Sequence, residues 1–303
     1  MDLTIQQLRM LREVAEQGTI GAAAAQLGYT ASAVSQQLAG VERVTGVPVL
    51  ERVGRNVFLT DAGRELVSHA ALVLAQLEEA KASVERVTQR AAGTLRVGMI
   101  ESVASTMVPL LLPRLAEGFP DLTIRTRQVD PDLAVLDVRS GDLDLAFTVA
   151  YPNAPVTRDD RLERTLVCRD WFKVVVRDDD PIVDDVVELE ELAGRPMIAS
   201  PPDMACGRCI LVACRDAGFE PDIAHKLDDY PTVLHLVAAG AGVGLVPDLG
   251  LRSLPEGVRA VTLKAPVCRT VDLVWRASSR ERPAVTAFIS TVESLAEELG
   301  LDR

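Results

Sequence analysis

The sequence predicts two folds in one chain: a mainly α winged helix-turn-helix at the N-terminus and an α/β domain after it, joined by a long helix. Three observations carry this. The first sixty residues hold three short capped helical patterns, then two short apolar runs around Gly54 and Arg55. Between residues 66 and 87 apolar side chains recur at alternating four- and three-residue steps. From Leu95 onward short apolar strands alternate with helical stretches.

A chain of 303 residues exceeds one average domain and can bury two substantial cores. With 48% hydrophobic and 25% charged residues the composition is that of a globular protein. No apolar run approaches the roughly 18 residues of a bilayer span, and the N-terminus lacks a basic-then-apolar signal. The expected location is therefore the cytoplasm, with no membrane partner. Five cysteines, an odd number, suit free thiols in a reducing compartment rather than a disulfide framework. The net charge of −12 repels nucleic acid over most of the surface, so DNA contact has to come from a local arrangement. Residues 1–60 are neutral, with Arg9, Arg12, Arg43, Arg52 and Arg55 balanced by Asp2, Glu13, Glu16, Glu42 and Glu51. The acidity belongs to the rest of the chain.

Thr4 and Gln7 form a capping-box pattern, and Leu8, Leu11 and Val14 then recur at helical spacing up to about Gln17. Gly18 stops this helix. Thr19 caps a second, whose run Ala22 to Ala25 admits a neighbouring backbone closely and which Gly28 ends. Thr30 caps a third, with Val34, Leu38 and Val41 turned inward and Ser32, Ser35, Gln36 and Ala39 on the opposite face. That face is small and polar: it fits a major groove, Gln can read adenine bidentately, and hydroxyls can bond phosphates or base edges. The competing reading of the same pattern is an ordinary helical bundle with a solvated Ser/Gln face. Val49 to Arg52 and Asn56 to Leu59 then read as the strands of a wing that offers Arg52 and Arg55 to phosphates or a minor groove.

Thr60 caps the long helix, with Asp61 and Glu65 at the positive end of its dipole. Leu66, Ala70, Val73, Leu77, Ala80, Val84 and Val87 make an a/d heptad that asks for a partner helix, although such a seam can also pack on the protein's own core. After a DNA-binding unit, a dimer seam sets the spacing of two recognition helices.

The strands expected beyond it are Leu95 to Ile100, Leu122 to Thr126, Leu143 to Val149, Lys173 to Val176, Met197 to Ala199, Gly244 to Val246 and Val271 to Trp275. Their alternation with helices implies a mainly parallel sheet, with ligands beyond the carboxyl ends of the strands. The first such loop, Glu101-Ser102-Val103-Ala104-Ser105, offers hydroxyls and backbone N–H groups for a small anion. Gln128, Thr148, Ser200 and Pro247 follow other strands as further candidates, with plain loop capping as the alternative.

Taken together, the stretches Gly18-Thr19-Ile20, Ala23-Ala24, Leu27, Ser32-Ala33-Val34-Ser35-Gln36-Gln37-Leu38, Glu42, Gly46-Val47-Pro48, Glu51-Arg52 and Leu59-Thr60-Asp61-Ala62-Gly63 resemble the LysR-type regulator family. Gly93 to Gly98, Phe119-Pro120, Gly141 to Ala146 and Gly240 to Pro247 extend the likeness over nearly the whole chain. Two departures stand out, Ala31 where the family often has Gln or Pro, and Val49-Leu50 in place of Leu-Phe.

The resemblance implies a winged helix-turn-helix over 1–60 (helix-turn-helix about 19–39, wing about 49–59) and a linker and dimerisation helix over 61–92. It implies a periplasmic-binding-protein-like effector domain over 93–303, with one subdomain from 93–167 plus 270–303 and the other from 168–269. It also implies a transcription regulator that binds pseudo-palindromic double-stranded DNA through Thr30, Ser32, Ser35, Gln36, Arg52 and Arg55. A small-molecule effector would contact the 101–105 loop, and the chain would form homodimers or homotetramers.

No catalytic constellation is expected. His69, His225 and His235 form no HExxH, and Gly-x-Ser-x-Gly and P-loop patterns are absent. Gly240-Ala241-Gly242-Val243-Gly244 lacks the dinucleotide spacing and reads as a helix-to-strand turn. No cofactor or metal is called for. Cys206, Cys209 and Cys214 leave a redox or metal role open beside buried structural thiols; no second CxxC completes a zinc site. Peroxide-sensing members of the resembled family carry a cysteine pair in this region, with a spacing similar but not identical to Cys206 and Cys214. The competing class is a solute-binding, enzymatic or redox-sensing α/β protein with an N-terminal helical interaction module.

Overall fold

A computed structural model describes residues 2–53, 56–88, 90–152, 159, 161–182 and 184–302. The chain divides into two compact units, Met1–Thr88 with Arg139–Asp142, and Gln89–Val138 with Leu143–Arg303.

The first unit opens with α1 (Ile5–Gln17), α2 (Ile20–Leu27) and α3 (Ala31–Thr45). Each begins where the sequence places a cap. Thr4 and Gln7 bond reciprocally across the first turn of α1, and the Thr19 and Thr30 hydroxyls accept from the Ala22 and Ala33 amides at 3.2 Å. Gly18 ends α1 at φ 66°, a left-handed backbone that glycine adopts without a Cβ clash. Its carbonyl oxygen accepts from Val57 N–H at 2.8 Å, which ties the first helical stop to the wing. The wing is an antiparallel pair, β1 (Leu50–Val53) and β2 (Asn56–Leu59), with Val53 opposite Asn56. The turn with Arg55, and the side chain of Arg52, lie outside the described residues.

Met10, Leu11, Val14, Ala23, Ala24, Val34, Leu38, Val41, Val49 and Val57 form the core of this unit. Truncating a fully buried member to alanine costs about 2–5 kcal/mol. Helix α4 (Asp61–Thr88) closes the core, with Leu66 and Val67 packed onto it. Thr60 makes the junction by donating to Pro48 O at 2.9 Å and accepting from Gly63 N at 3.0 Å. Gly63 lies so close to the Val49 carbonyl that a Cβ there would come within 2.0 Å of its oxygen. The heptad is divided. Leu66 is half-buried and Ala70 buried, while Val73, Ala80 and Val84 are exposed; the Val87 side chain lies outside the described residues.

The second unit continues with β3 (Gly93–Met99), α5 (Glu101–Thr106), α6 (Val108–Gly118), β4 (Leu122–Gln128), α7 (Pro131–Ser140), β5 (Leu145–Ala150) and the long β6 (Leu162–Arg177). There follow β7 (Val186–Val187), β8 (Pro196–Ala199), α8 (Ala205–Asp216), β9 (Asp222–Lys226), α9 (Tyr230–Ala238), β10 (Val243–Pro247), β11 (Val258–Leu263), β12 (Cys268–Arg276) and α10 (Pro283–Glu298). The sheet runs β4-β3-β5-β12-β6-β10-β8-β9, with β11 paired to β6 and β7.

Its flanks are parallel, as expected: β3 pairs with β4 and β5, and β8 with β9 and β10. Its middle is not. β12 runs antiparallel to β5 and β6, and β6 antiparallel to β10 and β11. The strand expected at Lys173 to Val176 is only the last part of β6, which begins at Leu162 and carries Arg164, Arg169 and Asp170 along its length. These charges sit opposite β12. Strands β7, β9 and β11 were also not expected, and β9 is a largely exposed polar edge. One apolar cluster surrounds β3, β5, β12, α6 and α10. A second gathers around β6, β8 and α8, and a third under α9. The glycine-rich segment is the tight turn foreseen, since a Cβ on Gly242 would lie 2.4 Å from the Pro196 carbonyl oxygen.

Candidate effector cleft and nucleic-acid interface

In the first unit, Ser32 and Gln36 are exposed on α3, Ser35 is half-buried beside them, and Thr30 is exposed at the helix start. The spacing i, i+3, i+4 places Ser32, Ser35 and Gln36 on one helical face, the face opposite buried Val34, Leu38 and Val41. Thr30 spends its oxygen lone pair on the cap. Exposed Tyr29, whose hydroxyl accepts from Gln6 Nε2 at 3.0 Å, adjoins this face and carried no signal in the sequence beyond its place in the turn.

In the second unit a cavity of about 560 Å³ is lined by residues of α5, β4, β5, α8, α9 and β12, within the roughly 300–1,000 Å³ of small-molecule sites. Its anchor is a buried ion pair. Arg269 on β12 stands directly opposite Asp170 on β6, and Nε and Nη2 donate to Asp170 Oδ2 at 2.9 and 2.8 Å. Arg269 Nη2 also donates to Ser102 Oγ at 2.7 Å, and Nη1 to the Tyr230 hydroxyl at 3.2 Å. Leu249 N–H donates to the other Asp170 oxygen at 2.9 Å. With 4% and 1% side-chain exposure, both ions are out of water, so these bonds replace the lost solvation. Burial works against the guanidinium charge, but Tyr230 and Asp170 outweigh it and Arg269 stays protonated.

Around this anchor stand Glu101, Asp130, Asp203 and Asp228, with Ile100, Val149, Met204 and Ala205 as apolar wall. Burial, then the negative charges of Asp229 and Asp228, push the Glu101 carboxyl up, while Arg269 and the Ser105 hydroxyl pull it down. Cys206 also lines the cavity, its Sγ 3.8 Å from the Tyr230 hydroxyl.

Of the effector residues expected from sequence, Ser102 and Gln128 line the cavity and the others do not. Val103 is buried in the core, and Ala104 packs against it. The Ser105 hydroxyl turns back to its own helix, donating to Glu101 O at 3.1 Å. Thr148 is buried in β5 opposite Asp272. Ser200 is buried and donates to Asp228 Oδ1 at 2.6 Å, and Pro247 is buried opposite Phe172. Of the loop after β3, Glu101 and Ser102 line the cavity, while Val103, Ala104 and Ser105 are turned to other sides of the helical turn. The anion expected there also meets a wall of carboxylates.

Asp170, Asp228, Tyr230 and Arg269 were not singled out in the sequence, and they left one usable trace. Asp170 and Arg269 are single charges set inside otherwise strand-forming runs, and a charge inside a strand is informative when another strand neutralises it. Cys209 and Cys214 sit in the core under α8; burial pushes their thiols up to about 12 and about 11. All five cysteines are free, and among the described residues no group of His, Cys, Asp and Glu is placed to hold a metal ion.

Comparison with known proteins meets this geometry in both units. The bacterial regulatory helix-turn-helix protein, lysR family, matches residues 5–64. The LysR substrate binding domain matches residues 88–296. The transcriptional dual regulator GltC of Bacillus subtilis (strain 168) is 27% identical over 295 residues, covering 96% of each chain. A probable hydrogen peroxide-inducible genes activator of Mycobacterium xenopi is 38% identical over 149 residues, 49% of this chain and 78% of that one. Among solved structures, a full-length OxyR variant from Pseudomonas aeruginosa superposes with a TM-score of 0.73 at 21% identity, covering 96% of this chain and 98% of that one. CbnR in complex with its target DNA gives 0.57 at 23% identity, covering 97% and 99%. The chain belongs to the LysR family: a DNA-binding transcriptional regulator with a helix-turn-helix unit and an α/β effector-binding domain. Among the described residues no helix is long and apolar enough to cross a membrane.

Proposed function

We propose that the cavity around Arg269 is the effector site and that its occupant controls operator binding by the α3 face and the wing. The observation that carries this is the Arg269 network, which gathers Ser102 from α5, Tyr230 from α9 and Asp170 from β6 on one guanidinium. A ligand seated against that network favours whichever arrangement of these elements it contacts best, and a regulator needs such a differential contact. Ser102 and Gln128 are the effector contacts retained from the sequence. Thr30, Ser32, Ser35, Gln36, Arg52 and Arg55 face the DNA, in the order expected of hydroxyl and arginine contacts to phosphate and Gln36 contact to a base edge.

The unit acts as a homodimer or homotetramer in the cytoplasm on pseudo-palindromic DNA, without catalytic activity. The exposed Val73, Ala80 and Val84 of α4 supply the seam. The boundaries follow as 1–60 for the DNA-binding unit, 61–92 for the linker helix and 93–303 for the effector domain, its subdomains being 93–167 plus 270–303 and 168–269. Support for the first two boundaries comes from the family matches, which end at 64 and resume at 88.

A gel shift at several salt concentrations tests the DNA side. Arg55→Ala is expected to weaken binding on all sequences and to lower the salt slope by about one, whereas unchanged affinity rejects its phosphate contact. Redox control through Cys206, Cys209 and Cys214 is a second reading, favoured by the place of Cys206 in the cavity. The raised Cys209 and Cys214 thiols keep reactive thiolate scarce at neutral pH, so effector control stands first.

A further inference from the structure

The effector reading leaves the chemistry of the ligand open, and the lining of the cavity narrows it. Glu101, Asp203 and Asp228 line the cavity beside Asp130, and Arg269, the one cationic residue among the described lining residues, has its charge already matched by Asp170 at 2.8 Å. Four of its five N–H donors are directed to Asp170, Ser102 and Tyr230, so it keeps a single N–H rather than a bidentate fork for an incoming anion. Glu101 Oε2 is buried with no hydrogen-bond partner among the described residues, an arrangement that costs desolvation energy while it lasts. Both causes that raise its carboxyl, burial and the nearby aspartates, are relieved by a positive charge placed between these groups. Ile100, Val149, Met204 and Ala205 also line the cavity and provide apolar surface for a short hydrocarbon body.

Resting on the effector-site reading, we propose that the ligand is a small organic cation, an ammonium or guanidinium on a short apolar stem, with its charge seated between Glu101 and Asp228. Anionic ligands are excluded by the same carboxylates, because a second negative charge there meets repulsion in a partly dry site.

The test is calorimetric titration of the full chain with butylammonium, butylguanidinium, butanamide and butyrate up to about 20 mM, a range suited to ligands of few atoms. It is repeated on Glu101→Gln, Asp228→Asn and a cavity-filling Ala205→Trp, each checked for an unchanged thermal unfolding profile. The expected result is saturable binding of the two cations and not of butyrate, weakened about tenfold or more by Glu101→Gln and abolished by Ala205→Trp. Should Asp228→Asn unsettle its contact with Ser200 and unfold, Glu101→Gln alone decides. Binding of butyrate or butanamide, without the cations and abolished by Ala205→Trp, overturns the cationic class while leaving the effector site in place. Cation binding that Ala205→Trp does not touch lies elsewhere and overturns the proposal, as does failure of either cation to bind.

Discussion

The two units of this chain build their working surfaces in opposite ways. In the first, the α3 residues proposed to face DNA lie within seven positions of one another, and a local device, the Thr30 cap, sets where that helix starts. In the second, the cavity is assembled from residues far apart: Arg269 reaches Ser102 across 167 positions and Asp170 across 99. A surface made by one helix is written in periodicity, whereas a site made by strand pairing depends on register, which no local pattern announces. The first unit should therefore tolerate loss of single contacts in its working face, and the second should not.

Arg269→Met probes that difference most severely. It leaves Asp170 buried without its partner, and breaking a buried pair in this way costs about 3–5 kcal/mol; urea unfolding of the variant is expected to show a loss of that size in the second unit. Unfolding at wild-type denaturant concentration would mean that the pair contributes no net stability.

Asp144, in the same unit, accepts from the Arg96 amide at 2.8 Å and from Arg96, Arg282 and Arg276 guanidinium groups at 3.1 to 3.4 Å. Burial alone would raise its carboxyl, but Arg96 and then Arg282 outweigh this and hold it below its ordinary value. Because the unfolded chain takes up this proton first as pH falls, the contribution is complete above about pH 4 and is lost as pH drops through the lowered value. Asp144→Asn is expected to be less stable by a few kcal/mol at neutral pH, on the order of a broken buried pair, with a flatter stability profile below about pH 4. An unaltered acid limb would assign the acid sensitivity elsewhere.

Smaller effects belong to the first unit. Gln36→Ala is expected to lose about 1–3 kcal/mol of discrimination at one base pair while the fold stays intact, measured by competition gel shifts on single-base operator variants. A uniform loss on every sequence would place Gln36 on phosphate instead. Thr30→Ala removes the cap of α3 and is expected to lower stability by about 1 kcal/mol. Thermal melts can resolve this, and no change would show that the α3 start is held by packing alone.

The same contrast explains what the sequence disclosed. The starts of α1, α2 and α3 and the glycine stops are chemical statements about caps and left-handed backbone, and each stands where the residues put it. The Leu59-Thr60-Asp61-Ala62-Gly63 pattern has a physical reason in the Thr60 bonds and in the bare Cα that Gly63 presents to Val49. β6 was expected as the four residues Lys173 to Val176, but it extends back to Leu162 along β12, and its buried charge Asp170 is neutralised by Arg269 of β12, 99 positions later. The loop after β3 lines the cavity through Glu101 and Ser102, whereas the expected Val103, Ala104 and Ser105 of α5 turn inward or along the helix. Side-chain direction over one helical turn depends on where the turn begins, and α5 has no capping side chain to mark it.

The central claim is that the cavity of the second unit governs DNA binding by the first. Footprinting of the full chain on its own upstream DNA, beside Ala205→Trp and the double variant Ser32→Ala with Gln36→Ala, tests it most directly. The account predicts two protected half-sites spaced by whole helical turns, an altered spacing or bend pattern for Ala205→Trp, and loss of sequence preference for the double variant. Identical footprints from wild type and Ala205→Trp, at equal stability and across protein concentrations, would contradict it.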